Sequence, residues 1–101
     1  MAETLKQEAK RLLADVPSEY VFRCHDGLIL QNTKQLGNAL NSMADETYVF
    51  HANTEKNDFT NWVRDVIKDD MLAKDLKKAT NRTQASRLVA SRIAILSKRL
   101  A

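Results

Sequence analysis

The chain has 101 residues, 44% apolar and 29% charged, with a net charge of +3; this is the length and composition of one globular domain, 1–101, with a modest core, and it argues against a disordered chain. Cys24 is the only cysteine, which excludes an internal disulfide framework and a four-cysteine zinc site and suits a reducing compartment. No stretch approaches the ~20 apolar residues of a membrane span, and the first eight residues are too charged to open a signal peptide, so no membrane association and a cytoplasmic location are expected.

With two glycines and one proline, few sharp turns are encoded and long helices are favoured. Leu5, Ala9, Leu12 and Leu13 recur at helical spacing and predict a helix over 3–14, stopped by Pro17. Tyr20 to Cys24 is aromatic and β-branched, the composition of a short strand. Asp26-Gly27 then supplies a turn, and Leu28 to Leu30 can return as the second arm of a hairpin. Asn32 or Thr33 caps the next helix, 33–43, which buries Leu36, Ala39, Leu40 and Met43. Gly37 weakens that helix by about 1 kcal/mol and leaves room for a close neighbour. Thr47 to His51 reads two ways: local propensity favours a strand, while Asp45-Glu46 suits the start of a short helix. Strand is the expectation.

Asn57 or Asp58 caps a helix of about ten residues, in which Phe59, Trp62, Val63 and Val66 form the clearest amphipathic stripe in the chain. Asp69-Asp70 caps a further turn or helix containing Met71, Leu72, Ala73 and Leu76. Asn81 or Thr83 starts the last helix, which runs to about Leu100. The expected fold is α+β and predominantly helical, with four to five helices and a small two- to three-stranded β element.

Charge is distributed unevenly. Residues 74–101 carry eight Lys/Arg against Asp75, a net +7, whereas the other 73 residues carry eight Lys/Arg against twelve Asp/Glu, a net −4. This predicts an acidic compact body, 3–76, with a basic C-terminal helix, 83–100. Such a helix either meets an anionic partner or pairs with the body. Arg92 and Arg99 project from within its apolar arc; the favoured expectation is that they snorkel past the core edge with their stems packed, and the other is that they pair with acids of the body or of a second protomer.

From Phe22 to Ala73, about half the chain, the residues Phe22, Asp26-Gly27, Leu30, Leu36, Leu40, Phe50 within Tyr48-Val49-Phe50-His51, Asn57-Asp58-Phe59-x-x-Trp62-Val63-x-Asp65-Val66 and Asp69-Asp70-x-Leu72-Ala73 form a pattern. It resembles a small prokaryotic domain family of unknown function, marked by F-x-x-x-D-G and N-D-F-x-x-W-[IV]-x-D-V. The resemblance implies a compact fold built round the Trp62 helix and carries no activity, substrate or cofactor. Ile67-Lys68 departs from it, standing where the family has a glycine-containing turn.

Cys24, His25 and His51, with Asp26, are the one cluster with the residue types for metal binding or nucleophilic chemistry. Adjacent residues on a strand point to opposite faces, however, so the favoured reading packs Cys24 with Tyr20 and Phe22, leaves His25 exposed and makes His51 a structural hydrogen-bonding residue. The chain has no G-x-S-x-G, phosphate-cradling glycine loop, H-E-x-x-H or calcium-loop spacing. No catalytic or metal-binding residue and no cofactor is therefore assigned. The expected function is a non-catalytic interaction module that binds a protein partner or self-associates through the last helix. The alternative is contact with RNA or DNA backbone, including that of a ribosome, by the same helix. Candidate contacts to an anionic partner are Arg82, Arg87, Arg92, Lys98 and Arg99.

Overall fold

The computed structural model describes residues 2–101 and comprises six helices and one two-stranded antiparallel sheet. Helix α1, Leu5–Leu13, is opened by a capping box in which Thr4 accepts from the Gln7 amide while the Gln7 side chain reaches back to the Thr4 amide. Its apolar stripe buries Ala9 and Leu12. A single 3₁₀ turn, Ser18–Tyr20, follows Pro17. Strands β1, Phe22–Arg23, and β2, Ile29–Leu30, then pair with Phe22 opposite Leu30 and Arg23 opposite Ile29. The period-2 alternation puts Phe22 and Leu30 inside and Arg23 and Ile29 outside. Gly27, at φ +98, makes the turn that Asp26-Gly27 predicts, donating its amide to the Cys24 carbonyl at 3.0 Å. Tyr20 belongs to the 3₁₀ turn rather than the strand and is exposed, so it does not pack with Cys24.

Asn32 caps α2, Thr33–Ser42, and Ala44 leads directly into α3, Asp45–His51. The strand expected over 47–51 is therefore a helix. Tyr48 and His51, three residues apart, must face the same side to enter one core; a helix achieves this and a strand does not. Both are buried, with Thr47, while Val49 and Phe50 face out.

Asn57 caps α4, Asp58–Trp62, which runs on into a turn of π-helix at Val63–Ile67. The π turn widens the helix and shifts its inward face, so that Ile67 is buried where the 3.6-residue period predicts Val66, which is only half-buried. The segment ends with Lys68 in the left-handed conformation, φ 72 and ψ 32. Lys68 thus occupies a backbone position that favours glycine. Asp69 caps α5, Asp70–Lys78, and Asn81 caps α6, Arg82–Leu100.

Helix α6 lies against α1, α2 and α5. Its contribution to the core is Ala85, Val89 and Leu96, set against Leu36 and Leu40 of α2 and Ala9 and Leu12 of α1 in one apolar cluster. A methyl group placed on Gly37 would meet Val89 Cγ1 at 3.2 Å and Ile93 Cδ1 at 3.4 Å, so the glycine lets α2 and α6 approach closely. The basic helix is therefore an internal support of the fold. An aromatic block completes the interior. Phe22 stacks on Phe59 with centroids 5.1 Å apart and meets the Trp62 edge at 5.7 Å. The Trp62 indole N–H donates to the Tyr20 carbonyl at 2.7 Å.

Candidate interaction surface on the last helix

The residues of α6 that point inward recur at positions 85, 89, 92 and 96, and the third of them is Arg92. A guanidinium carried inside must be paired, because an isolated charge there is far costlier than one in water. Arg92 donates from Nε to Asp69 Oδ2 at 2.9 Å and from Nη2 to Asp69 Oδ1 at 3.2 Å. The two side chains are 8% and 2% exposed. Asp69 Oδ1 also accepts the Leu72 amide at 3.2 Å, so one carboxylate caps α5 and fixes α6. Arg92 therefore does not snorkel to solvent.

Arg82 is also engaged within the chain. It donates to the Leu40 and Asn41 carbonyls at the C-terminal end of α2, at 2.8 and 3.1 Å, and to Asp45 Oδ1 at 2.9 Å. These carbonyls have no partner inside their own helix, so a cation there both satisfies hydrogen bonds and meets the negative end of the dipole. Arg99 lies 3.6 Å from Glu8 of α1. Of the five candidate contacts, Arg82, Arg92 and Arg99 thus face acids of the body, at Asp45, Asp69 and Glu8. Arg87 and Lys98 are exposed, and among the described residues neither has an ion-pair partner.

The outer face of α6 runs opposite the buried one. At 100° per residue, Arg87, Ser91, Ala94 and Lys98 form a line along it, with Ala90 on one flank and Ile95 on the other. All six are exposed, Ile95 by 47%. Beside this line, a hollow of about 390 Å³ separates α6 from the end of α5, lined by Lys78, Ala79, Arg87, Leu88 and Ser91 among others. The exposed stripe is thus small and apolar at its centre and basic at both ends.

The second cluster is arranged differently from a reactive site. Cys24 is buried, and burial, with a smaller contribution from Asp26, pushes its thiol up to about 11, so it stays protonated near neutrality and is neither nucleophile nor ready ligand. His51 Nε2 accepts the His25 backbone N–H at 2.9 Å. An amide can only donate, so the ring proton sits on Nδ1 and points to Asp58 Oδ2 at 3.0 Å. Burial pushes the Asp58 carboxyl up, but hydrogen bonds from His51 and Lys56 outweigh it and hold the carboxyl below its ordinary value. Both His51 nitrogens are engaged by the fold. The His25 ring lies outside, stacked on Phe50 with centroids 3.9 Å apart. The structure therefore brings the His25 backbone, not its side chain, to His51. Among the described residues no group of three His, Cys, Asp or Glu is placed to hold a metal.

The sequence reads Asp69 as a helix start, and Asp45 as one only in the less favoured reading of 47–51; pairing of Arg92 with an acid of the body is among its alternatives, but the identities Asp69 for Arg92 and Asp45 for Arg82 come from the fold. The one available signal was an arginine inside an apolar arc, which demands an acid from elsewhere. None of the described helices is long and apolar enough to cross a membrane. No protein-family model, curated protein or solved structure matches the chain.

Proposed function

We propose that the protein is a non-catalytic interaction module whose α6 outer face docks on a protein partner or on a second copy of the chain. The observation that carries this reading is the division of labour along α6. Arg82, Arg92 and Arg99 are turned to the body's own acids, which leaves Ala90, Ser91, Ala94 and Ile95 as the middle of the exposed face. Small side chains there allow a second backbone to approach, and Ile95 supplies apolar area that gains from leaving water. Arg87 and Lys98 would frame such an interface as its polar rim.

The alternative reading, binding to nucleic-acid backbone, rests on Arg87 and Lys98 together with the exposed Lys74, Lys77 and Lys78 of α5. No aromatic side chain accompanies them on α6, so base stacking has no platform there. Light scattering of the wild type and of Ile95→Glu separates the two. A dimeric mass that falls to the monomer in Ile95→Glu, at unchanged melting temperature, supports self-association, and capture of a protein partner that Ile95→Glu abolishes supports a heterologous partner. A titration with generic RNA and duplex DNA in which binding falls steeply with salt, and is lost in Arg87→Glu/Lys98→Glu but kept in Ile95→Glu, would transfer the function to the second reading.

A further inference from the structure

A cleft of about 600 Å³ lies on another side of the molecule, between the α3–α4 loop, α4 itself and the α5–α6 loop. Its walls include Tyr48, Lys56, Thr60, Asn61, Arg64 and Lys77. This volume falls within the range of small-molecule sites, ~300–1,000 Å³. An adjoining hollow of about 260 Å³ shares Thr60, Arg64 and Lys77 with it, so these three residues form the partition between the two spaces.

The polar groups on that partition are incompletely used. Thr60 is 5% exposed, and its hydroxyl is the one buried side-chain polar atom among the described residues with no hydrogen-bond partner. A buried hydroxyl left in this way is costly; having almost no accessible surface, it reaches the cleft that Thr60 lines only after its side chain rotates. Tyr48 is also buried, stacked on Phe59 at 5.7 Å, and its hydroxyl has no partner within the described chain. Burial pushes that hydroxyl up, which keeps it a donor. Lys77 is exposed and has no ion-pair partner among the described residues. Arg64 donates to both carboxylate oxygens of its neighbour Asp65, at 2.8 and 3.0 Å, and to Asn61 Oδ1 at 3.2 Å, with Nη1 uncommitted among the described residues. The pair with Asp65 is exposed on both sides and worth little in water, so a stronger oxyanion can displace it. Lys56 is committed to Asp58 at 3.0 Å, and Glu55 is the lone carboxylate of the lining.

We propose that this cleft binds a small phosphate-bearing ligand, with Arg64 and Lys77 meeting the phosphate, the Tyr48 hydroxyl donating to it and the Thr60 hydroxyl joining once its side chain rotates toward the cleft. Two cations and two hydroxyl donors suit a tetrahedral dianion with three terminal oxygens, and a guanidinium can engage two of them at once. The concave shape selects a small molecule over a polymer backbone. The site shares no residue with the outer face of α6, so it stands or falls independently of the interaction-module reading.

The test is an amide-resolved NMR titration of the whole chain with pyrophosphate, against sodium chloride at matched ionic strength and against malonate. Saturating shifts at Thr60, Asn61, Arg64 and Lys77 are expected, with affinity at least tenfold weaker in Arg64→Gln/Lys77→Gln and unchanged in Arg87→Gln. Thr60→Val is expected to weaken binding while holding or raising the melting temperature of the unliganded protein, because it removes a polar atom without a partner. Absence of saturation, shifts centred on Arg87 and Lys98, undiminished affinity in the double variant, or a lower melting temperature for Thr60→Val would each overturn the proposal. Equal affinity for malonate would overturn the assignment to phosphate.

Discussion

Two polar centres are buried in this small interior, and they are built on opposite plans. In the aromatic block, His51 is neutral, surrounded by Phe22 at 5.0 Å and Phe59 at 5.3 Å, with one ring nitrogen on a backbone amide and the other on a half-exposed carboxylate. In the aliphatic layer, Arg92 and Asp69 are both charged and both almost wholly enclosed. The first centre introduces no full charge into the core, so losing a partner leaves an ordinary unpaired polar group. The second removes two charges from water, and that desolvation is offset only while both partners remain. Small domains tolerate a buried ion pair when its members fix elements that little else holds in register. Here the pair ties the start of α5 to the middle of α6.

The sharpest way to break this contrast is Asp69→Ala. It leaves Arg92 enclosed without a counter-charge and removes the cap of α5, and chemical denaturation is expected to show a loss of about 3–5 kcal/mol. Asp69→Ser with Arg92→Leu keeps a capping oxygen and removes both charges, so most of the loss should return. If the single variant costs no more than a surface substitution, the buried-pair account is wrong. The corresponding change in the aromatic block, His51→Leu, strands the His25 amide and is expected to cost about 1–3 kcal/mol, visible also as faster hydrogen exchange at His25. A cost above that of Asp69→Ala would invert the ranking of the two centres. The smallest effect concerns the junction between them. Lys68→Gly relieves a left-handed residue and should stabilise the protein by about 1 kcal/mol, read as a higher midpoint in the same denaturation experiment; a lower midpoint would mean that the Lys68 side chain contributes more than its backbone strain removes.

Four helix starts were legible to within one or two residues because each depends on local chemistry: Asn32, Asn57, Asp69 and Asn81 accept the amide three residues on, where the sequence left Thr33, Asp58 and Thr83 as alternatives to the three asparagines. The hairpin turn at Asp26-Gly27 was equally local, whereas Gly37 signalled room for a neighbour without saying that the neighbour is α6. Helix α3 was not, because Thr47, Tyr48, Val49 and Phe50 have strand propensity and only the shared core face of Tyr48 and His51 decides otherwise. Counting α3 brings the helices to six, above the four to five expected. The interaction surface was half legible. Basic residues are visible in a sequence, but their neutralisation by Asp45, Asp69 and Glu8, at separations of 37, 23 and 91 residues, is a product of the tertiary fold. The cleft beside Thr60 was not legible at all, since an unpartnered hydroxyl has no signature in the chain.

The π turn at Val63–Ile67 also sets the angular phase of the chain as it enters α5. Each residue of a regular helix advances the backbone by about 100°, so deleting one position from this turn would carry Asp69 about a quarter-turn away from Arg92. The extra residue therefore acts as a spacer that aims the carboxylate, and the buried pair and the widened turn are expected to tolerate change only together.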